Sequence, residues 1–163
     1  MKTEIPSLSS PLESRNQRVT PILTLPDIVA ALDFYRAGFR AAEIMRLTSD
    51  TGVVIHAEMD IGGSRVVLTS DSNSFGTAPG ELRGSTVILH CYVSDVDESV
   101  AHAIANGAHQ VTPVTDKFYG ERSGTLKDPF GHIWCIATLQ HELSVEEIQR
   151  RWTALTRQPL SSQ

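Results

Sequence analysis

The sequence predicts an α+β fold: two tandem β-α-β-β-β modules that curl into a half-open barrel, followed by a C-terminal helix. Three observations carry this expectation. A shift of 68 residues lays Leu25 on Val93, Asp27 on Asp95, Ile28 on Val96 and Leu32 on Val100, and also Asp60 on Asp128, Gly63 on Gly131 and Leu68 on Ile136. Two separate segments that share one offset mark a duplicated unit rather than a many-copy solenoid. Apolar residues alternate with polar ones in the strand segments and recur at helical spacing between them. Each module's helix also starts at an Asp cap and ends at glycine or Asn-Gly.

The elements follow in order. Residues 1–17 are polar and turn-rich, with Ser7, Ser9, Ser10 and Pro11, and read as a disordered tail. The first module spans residues 18–70. Val19 to Leu25 is its first strand, and Pro21 confines that strand to an edge or to its own beginning. Asp27 caps a helix on which Ile28, Ala31, Leu32 and Tyr35 share a face, with Gly38 at its end. Ala41 to Leu47, Thr51 to Met59 and Arg65 to Thr69 are strands, the last two joined at Gly62-Gly63. Residues 71–85 form a linker loop without periodicity, of a length that often covers a site.

The second module spans residues 86–140. Thr86 to Val93 is a strand, and Ser94-Asp95 caps a helix bearing Val96, Val100, Ala103 and Ile104. Gln110 to Pro113, Lys117 to Thr125 and His132 to Thr138 are strands, with Asp128 to Gly131 as a turn. Residues 141–163 hold a terminal helix and tail. Ser144 and Glu147 make a capping box, and Ile148, Trp152 and Leu155 share a face by which the helix is expected to dock.

Composition narrows the function. With 163 residues and a net charge of −5, the chain has ordinary globular proportions and no dense basic block, which disfavours nucleic acid and anionic membranes as partners. No apolar run reaches the ~18 residues that span a bilayer. Cys91 and Cys135 form no close motif and read as free thiols in a reducing cytoplasm. No phosphate loop, dinucleotide fingerprint or Ser-His-Asp arrangement is present. In each module one sheet face is covered by the helix; the other face is expected to curve around a space shared by the modules, the natural place for a small molecule.

The doubled unit resembles the vicinal oxygen chelate superfamily, which includes glyoxalase I, bleomycin-resistance proteins, fosfomycin-resistance enzymes and extradiol dioxygenases. Residues 19–23, Ala31-Leu-Asp-Phe-Tyr35, His56-Ala-Glu58, residues 89–97, Phe118-Tyr-Gly-Glu-Arg122 and Asp128-Pro-Phe-Gly-His132-Ile-Trp134 are similar to its PhnB-like branch. The resemblance implies four metal-ligand positions, which fall here on Thr20, Val67, Ile88 and Cys135. Ile and Val have no donor atom, and Thr and a single Cys do not hold a catalytic metal. The resemblance therefore implies a metal-free relative of the drug-binding bleomycin-resistance branch, with no cofactor. It also implies a homodimer.

The expected cleft walls are Thr20, Ile22, Thr24, His56, Glu58, Val67, Ile88, His90 and Cys135. His56 and Glu58 are two apart on one strand and share a face. With His90 they form either a hydrogen-bonded cluster that orders the strands, an acid/base pair, or a metal site at a non-standard place. Arg122 offers a planar fork for a ligand's carboxylate or phosphate, or pairs with Asp128 or Glu58. Tyr119 supplies an aromatic edge, and Cys135 is an inert small hydrophobe or a thiol nucleophile. The leading expectation is a protein that binds an antibiotic or metabolite; the alternative is a lyase or isomerase using a shifted metal site or an acid/base pair at His56, Glu58 and His90.

Overall fold

The computed structural model describes residues 19–70 and 76–157. The tail expected over residues 1–17 lies outside them, as does part of the linker. The first module contains β1 (Ile22–Leu25), α1 (Ile28–Gly38), β2 (Ala42–Thr48), β3 (Val54–Ile61) and β4 (Ser64–Ser70). After a short helix α2 (Pro79–Leu82), the second contains β5 (Ile88–Tyr92), α3 (Val96–Ala105), β6 (His109–Asp116), β7 (Glu121–Lys127) and β8 (Ile133–Leu139). The chain then forms α4 (Val145–Thr156).

The duplication is structural. The sheets have the orders β1-β4-β3-β2 and β5-β8-β7-β6, each with a parallel first pair and antiparallel hairpins. Ile22 pairs with Val67 in one, and His90 with Cys135 in the other, which preserves the 68-residue offset. The helix starts also repeat: Asp27 (φ −145°, ψ 105°) accepts from the Ala30 amide, and Asp95 (φ −140°, ψ 105°) from the Glu98 amide. Each aspartate satisfies one amide that a helix start leaves open.

Some expected boundaries move. Pro113 lies inside β6, which runs through to Asp116. The strand tolerates it because β6 is a sheet edge with irregular register between Gln110 and Thr115. The expected strand from Lys117 to Thr125 straddles a turn, and β7 starts only at Glu121. Gly120 makes that turn with φ +96°, where a side chain would run into the His141 carbonyl. The linker is not structureless: Pro79 starts α2. The stripe on α4 docks less than expected. Trp152 and Leu155 are exposed, and the helix is held chiefly by Trp152 against Phe118 (5.4 Å between rings) and by Arg151 donating to the Phe118 carbonyl.

One hydrophobic core runs through both modules on the helix side of both sheets. Leu25, Ala57, Met59 and Leu68 meet α1, and Leu126 and Ile136 meet α3. The helices also touch one another, with His102 on the Ala37 carbonyl (2.7 Å) and Arg40 on Glu98 (2.7 Å). Trp134 packs against the helix of the other module: its ring lies 5.6 Å from Tyr35 and 4.9 Å from Phe39. Asp128 is 1% exposed and accepts from Tyr35 Oη (2.6 Å) and Trp134 Nε1 (3.0 Å) at the centre of this joint.

Candidate functional site

Because the helix sides of both sheets feed one core, the other two faces point away from it. The single cleft expected between the modules is therefore replaced, within one chain, by two outward faces. Between the modules on the helix side, the described residues enclose a small apolar cavity of ≈ 50 Å³, lined by Phe39, Ile61, Cys91, Ala103 and Ile136. Drug-sized pockets occupy roughly 300–1,000 Å³.

On the first face, cross-strand register builds two rows. One runs Met45, Glu58, Val67, Ile22; the next runs Leu47, His56, Thr69, Thr24. Glu58 pairs with Arg65 Nη1 at 2.7 Å, both side chains being nearly buried. His56 Nε2 lies 3.4 Å from the other oxygen of Glu58. His56 and Glu58 thus meet as expected, but Arg65 holds the carboxylate. Ile22, Met45 and Leu47 are exposed around them. Thr20 stands just ahead of β1, and a groove of ≈ 490 Å³ runs along Ile22 and Thr24 toward Leu82, Val87 and His132.

On the second face, one row runs Thr125, Cys135, His90 and the next Ser123, Ala137, Tyr92. Glu121 lies at the head of β7 and is only 7% exposed. It accepts from Tyr92 Oη, and its other oxygen lies 3.5 Å from His90 Nε2. The rings of His90 and Tyr92 lie 4.8 Å apart. The bond to Glu121 raises the pKa of Tyr92 by favouring its protonated form. Burial raises Cys135 above the usual thiol range, which keeps it in the weakly nucleophilic thiol form. Ile88 is 63% exposed at the rim.

Three expectations need correction. Arg122 does not reach this face: it shares the helix side of β7 with Gly124 and Leu126, and chelates Asp97 (2.7 Å to each oxygen) while touching Asp116 (3.0 Å). It ties α3 to the sheet, and neither Asp128 nor Glu58 is its partner. Tyr119 stays in the β6–β7 turn, edge-on to Phe118 at 5.1 Å. His90 lies on a different sheet from His56 and Glu58, so the three form no common site in one chain. Among the described residues, no group of three or more His, Cys, Asp or Glu side chains is placed to hold a metal.

Glu121, Tyr92 and Arg65 were missed. Parity alone would have found them: Tyr92 shares a strand face with His90, Arg65 with Val67, and Glu121 with Ser123.

Comparison with known proteins agrees with this architecture. The uncharacterized protein Mb0911c of Mycobacterium bovis is 36% identical over 135 residues, covering 80% of this chain and 89% of its own length. The crystal structure of TioX from Micromonospora sp. ML1 superposes with a TM-score of 0.62 at 27% identity, over 74% of this chain and 97% of that one. The fold is also that of the fosfomycin resistance protein FosX of Listeria monocytogenes, solved with Mn(II) and sulfate (TM-score 0.57, 19% identity, 82% and 95% covered). At Thr20, Val67, Ile88 and Cys135, the positions the resemblance implies for metal ligands, Val and Ile have no donor atom, and Thr with a single Cys does not make a set that fits a divalent metal. Residues 18–136 match the glyoxalase/bleomycin resistance protein/dioxygenase superfamily, and the chain belongs to it.

Proposed function

We propose that the protein binds a small organic molecule, an antibiotic or a metabolite, without a metal. The observation that carries this reading is the pair of outward sheet faces. Each sets large exposed apolar side chains, Ile22 and Leu47 on one and Ile88 and Tyr92 on the other, around a nearly buried carboxylate. Such surfaces mark binding sites rather than ordinary solvent-facing sheet. The ligand's apolar body is covered by the aliphatic residues, and the polar groups fix its orientation. A second copy of the chain closes the faces into a cavity, which makes the protein a homodimer of the PhnB-like kind. The half-buried free thiols Cys91 and Cys135 accord with a cytoplasmic protein.

The test is calorimetry of the chelator-stripped protein against planar and cationic antibiotics. Saturable binding that is unchanged when Mn(II) or Zn(II) is returned is the expected result. Binding that appears only with the metal overturns the reading.

A second reading, a lyase or isomerase, is favoured by one contact, His56 against Glu58. In it His56 carries the proton and the Arg65-held carboxylate orients the ring. Turnover abolished in His56→Gln while ligand affinity is kept would establish it.

A further inference from the structure

We propose that the outer face of the second sheet is a subsite for a protonated amine, with Glu121 as its counter-charge. The inference rests on the binding reading above and adds the charge class of the ligand. The Glu121 side chain is 10% exposed. One oxygen accepts from Tyr92, and the other, Oε2, is buried and accepts no hydrogen bond. A buried carboxylate oxygen left unbonded is costly, and such an oxygen in a folded protein asks for a donor. His90 Nε2 stands nearest, at 3.5 Å.

Among the described residues, the neighbouring cations do not fill the place. Lys117 lies opposite Glu121 across the β6–β7 hairpin, its amide bonding the Glu121 carbonyl. Its ammonium instead donates to Thr115 Oγ1 at 2.7 Å. Arg122 is bound to Asp97 and Asp116 on the opposite side of the sheet, and Arg151 to Glu147 and the Phe118 carbonyl.

The chemistry selects the ligand. An anion meets a carboxylate and finds the Tyr92 hydroxyl proton already given to Glu121. A hard metal ion needs several oxygen or imidazole donors, and among the described residues no group of three or more His, Cys, Asp or Glu side chains is placed to hold one. An ammonium group needs one carboxylate and gains from an exposed aromatic face, which Tyr92 and His90 present together.

The experiment compares three isosteric probes, 1-naphthylmethylamine, 1-naphthalenemethanol and 1-naphthoate, by calorimetry at pH 7. The amine is expected to bind about tenfold or more tighter than the alcohol, the difference a charge-assisted hydrogen bond makes. The naphthoate should bind weakest. Glu121→Gln should bring the amine down to the alcohol, while Lys117→Met should leave it as tight or tighter. Equal affinity of amine and alcohol for the unmodified protein overturns the subsite and leaves the binding reading standing. So does an amine preference that survives Glu121→Gln but vanishes in Glu58→Gln, which would put the charge on the other face. Failure of all three probes to bind removes both.

Discussion

In the first module the turn between β3 and β4 is closed by Asp60, which accepts one hydrogen bond, from the Gly63 amide at 2.9 Å. The equivalent residue of the second module, Asp128, is almost wholly buried and accepts four: from the amides of Phe130 (3.0 Å) and His132 (2.9 Å), from Tyr35 and from Trp134. The local job is the same, since both carboxylates tie a tight turn. The second has added a partner from the other module. The outer faces diverge in the same way. Where the first sheet carries His56 and Glu58, the second carries Ser123 and Thr125 at the matching register, and its carboxylate has moved to Glu121. The repeat thus preserves the turn and helix caps that set each module's local structure, and it varies where the modules meet each other and on the outer faces.

The largest effect that tests this contrast is on stability. Asp128→Ala strands two side-chain donors and two amides in the core, at about 1–3 kcal/mol for each donor left unsatisfied, less what rearrangement recovers. The expected loss in urea unfolding is on the order of 3–5 kcal/mol. Asp60→Ala should cost about 1 kcal/mol or less. Equal losses would show that Asp128 is only a turn residue.

Tyr35→Phe is intermediate, at about 1–2 kcal/mol, because one buried hydroxyl is lost and one carboxylate oxygen is left short of a donor. It also has a pH signature. Burial, and then the Asp128 charge, push the Tyr35 pKa well above its ordinary 10.0. The folded state therefore keeps the proton that the unfolded state releases. This contribution is complete below pH 10 and is lost as pH rises from there toward the folded pKa. Alkaline unfolding should be shallower in Tyr35→Phe above pH 10, and identical slopes would deny the joint its role.

The smallest effect sharpens the assignment of the faces. Arg122→Gln should loosen the first turn of α3, whose Asp97 it holds below the usual carboxylate range, and leave probe affinity unchanged. A large fall in affinity would return Arg122 to the ligand.

Much of the fold was legible in the residues. The 68-residue offset, the Asp caps at 27 and 95 and the period-two strands are local signals, and local chemistry sets them. The sharing of a face by His56 and Glu58 was equally legible, because alternation along a strand is geometric. The partners of Arg122 were not legible because its planar fork suits any carboxylate, and which one it meets depends on how α3 packs on the sheet. The terminal stripe was misread because amphipathicity tells that a helix has an apolar face but not how much of it finds a partner.

From the sequence by itself follow the duplicated β-α-β-β-β unit, its helix caps and the alternation of its strands, because each is written in residue type and short spacing. Only the tertiary structure decided that both helix sides feed one core, that Asp128 joins the modules through Tyr35 and Trp134, and that Glu121 is buried with an oxygen unbonded. Those contacts join residues on separate elements and, at the module joint, from different modules. What a side chain meets across that distance depends on how the faces pack, which no local pattern encodes.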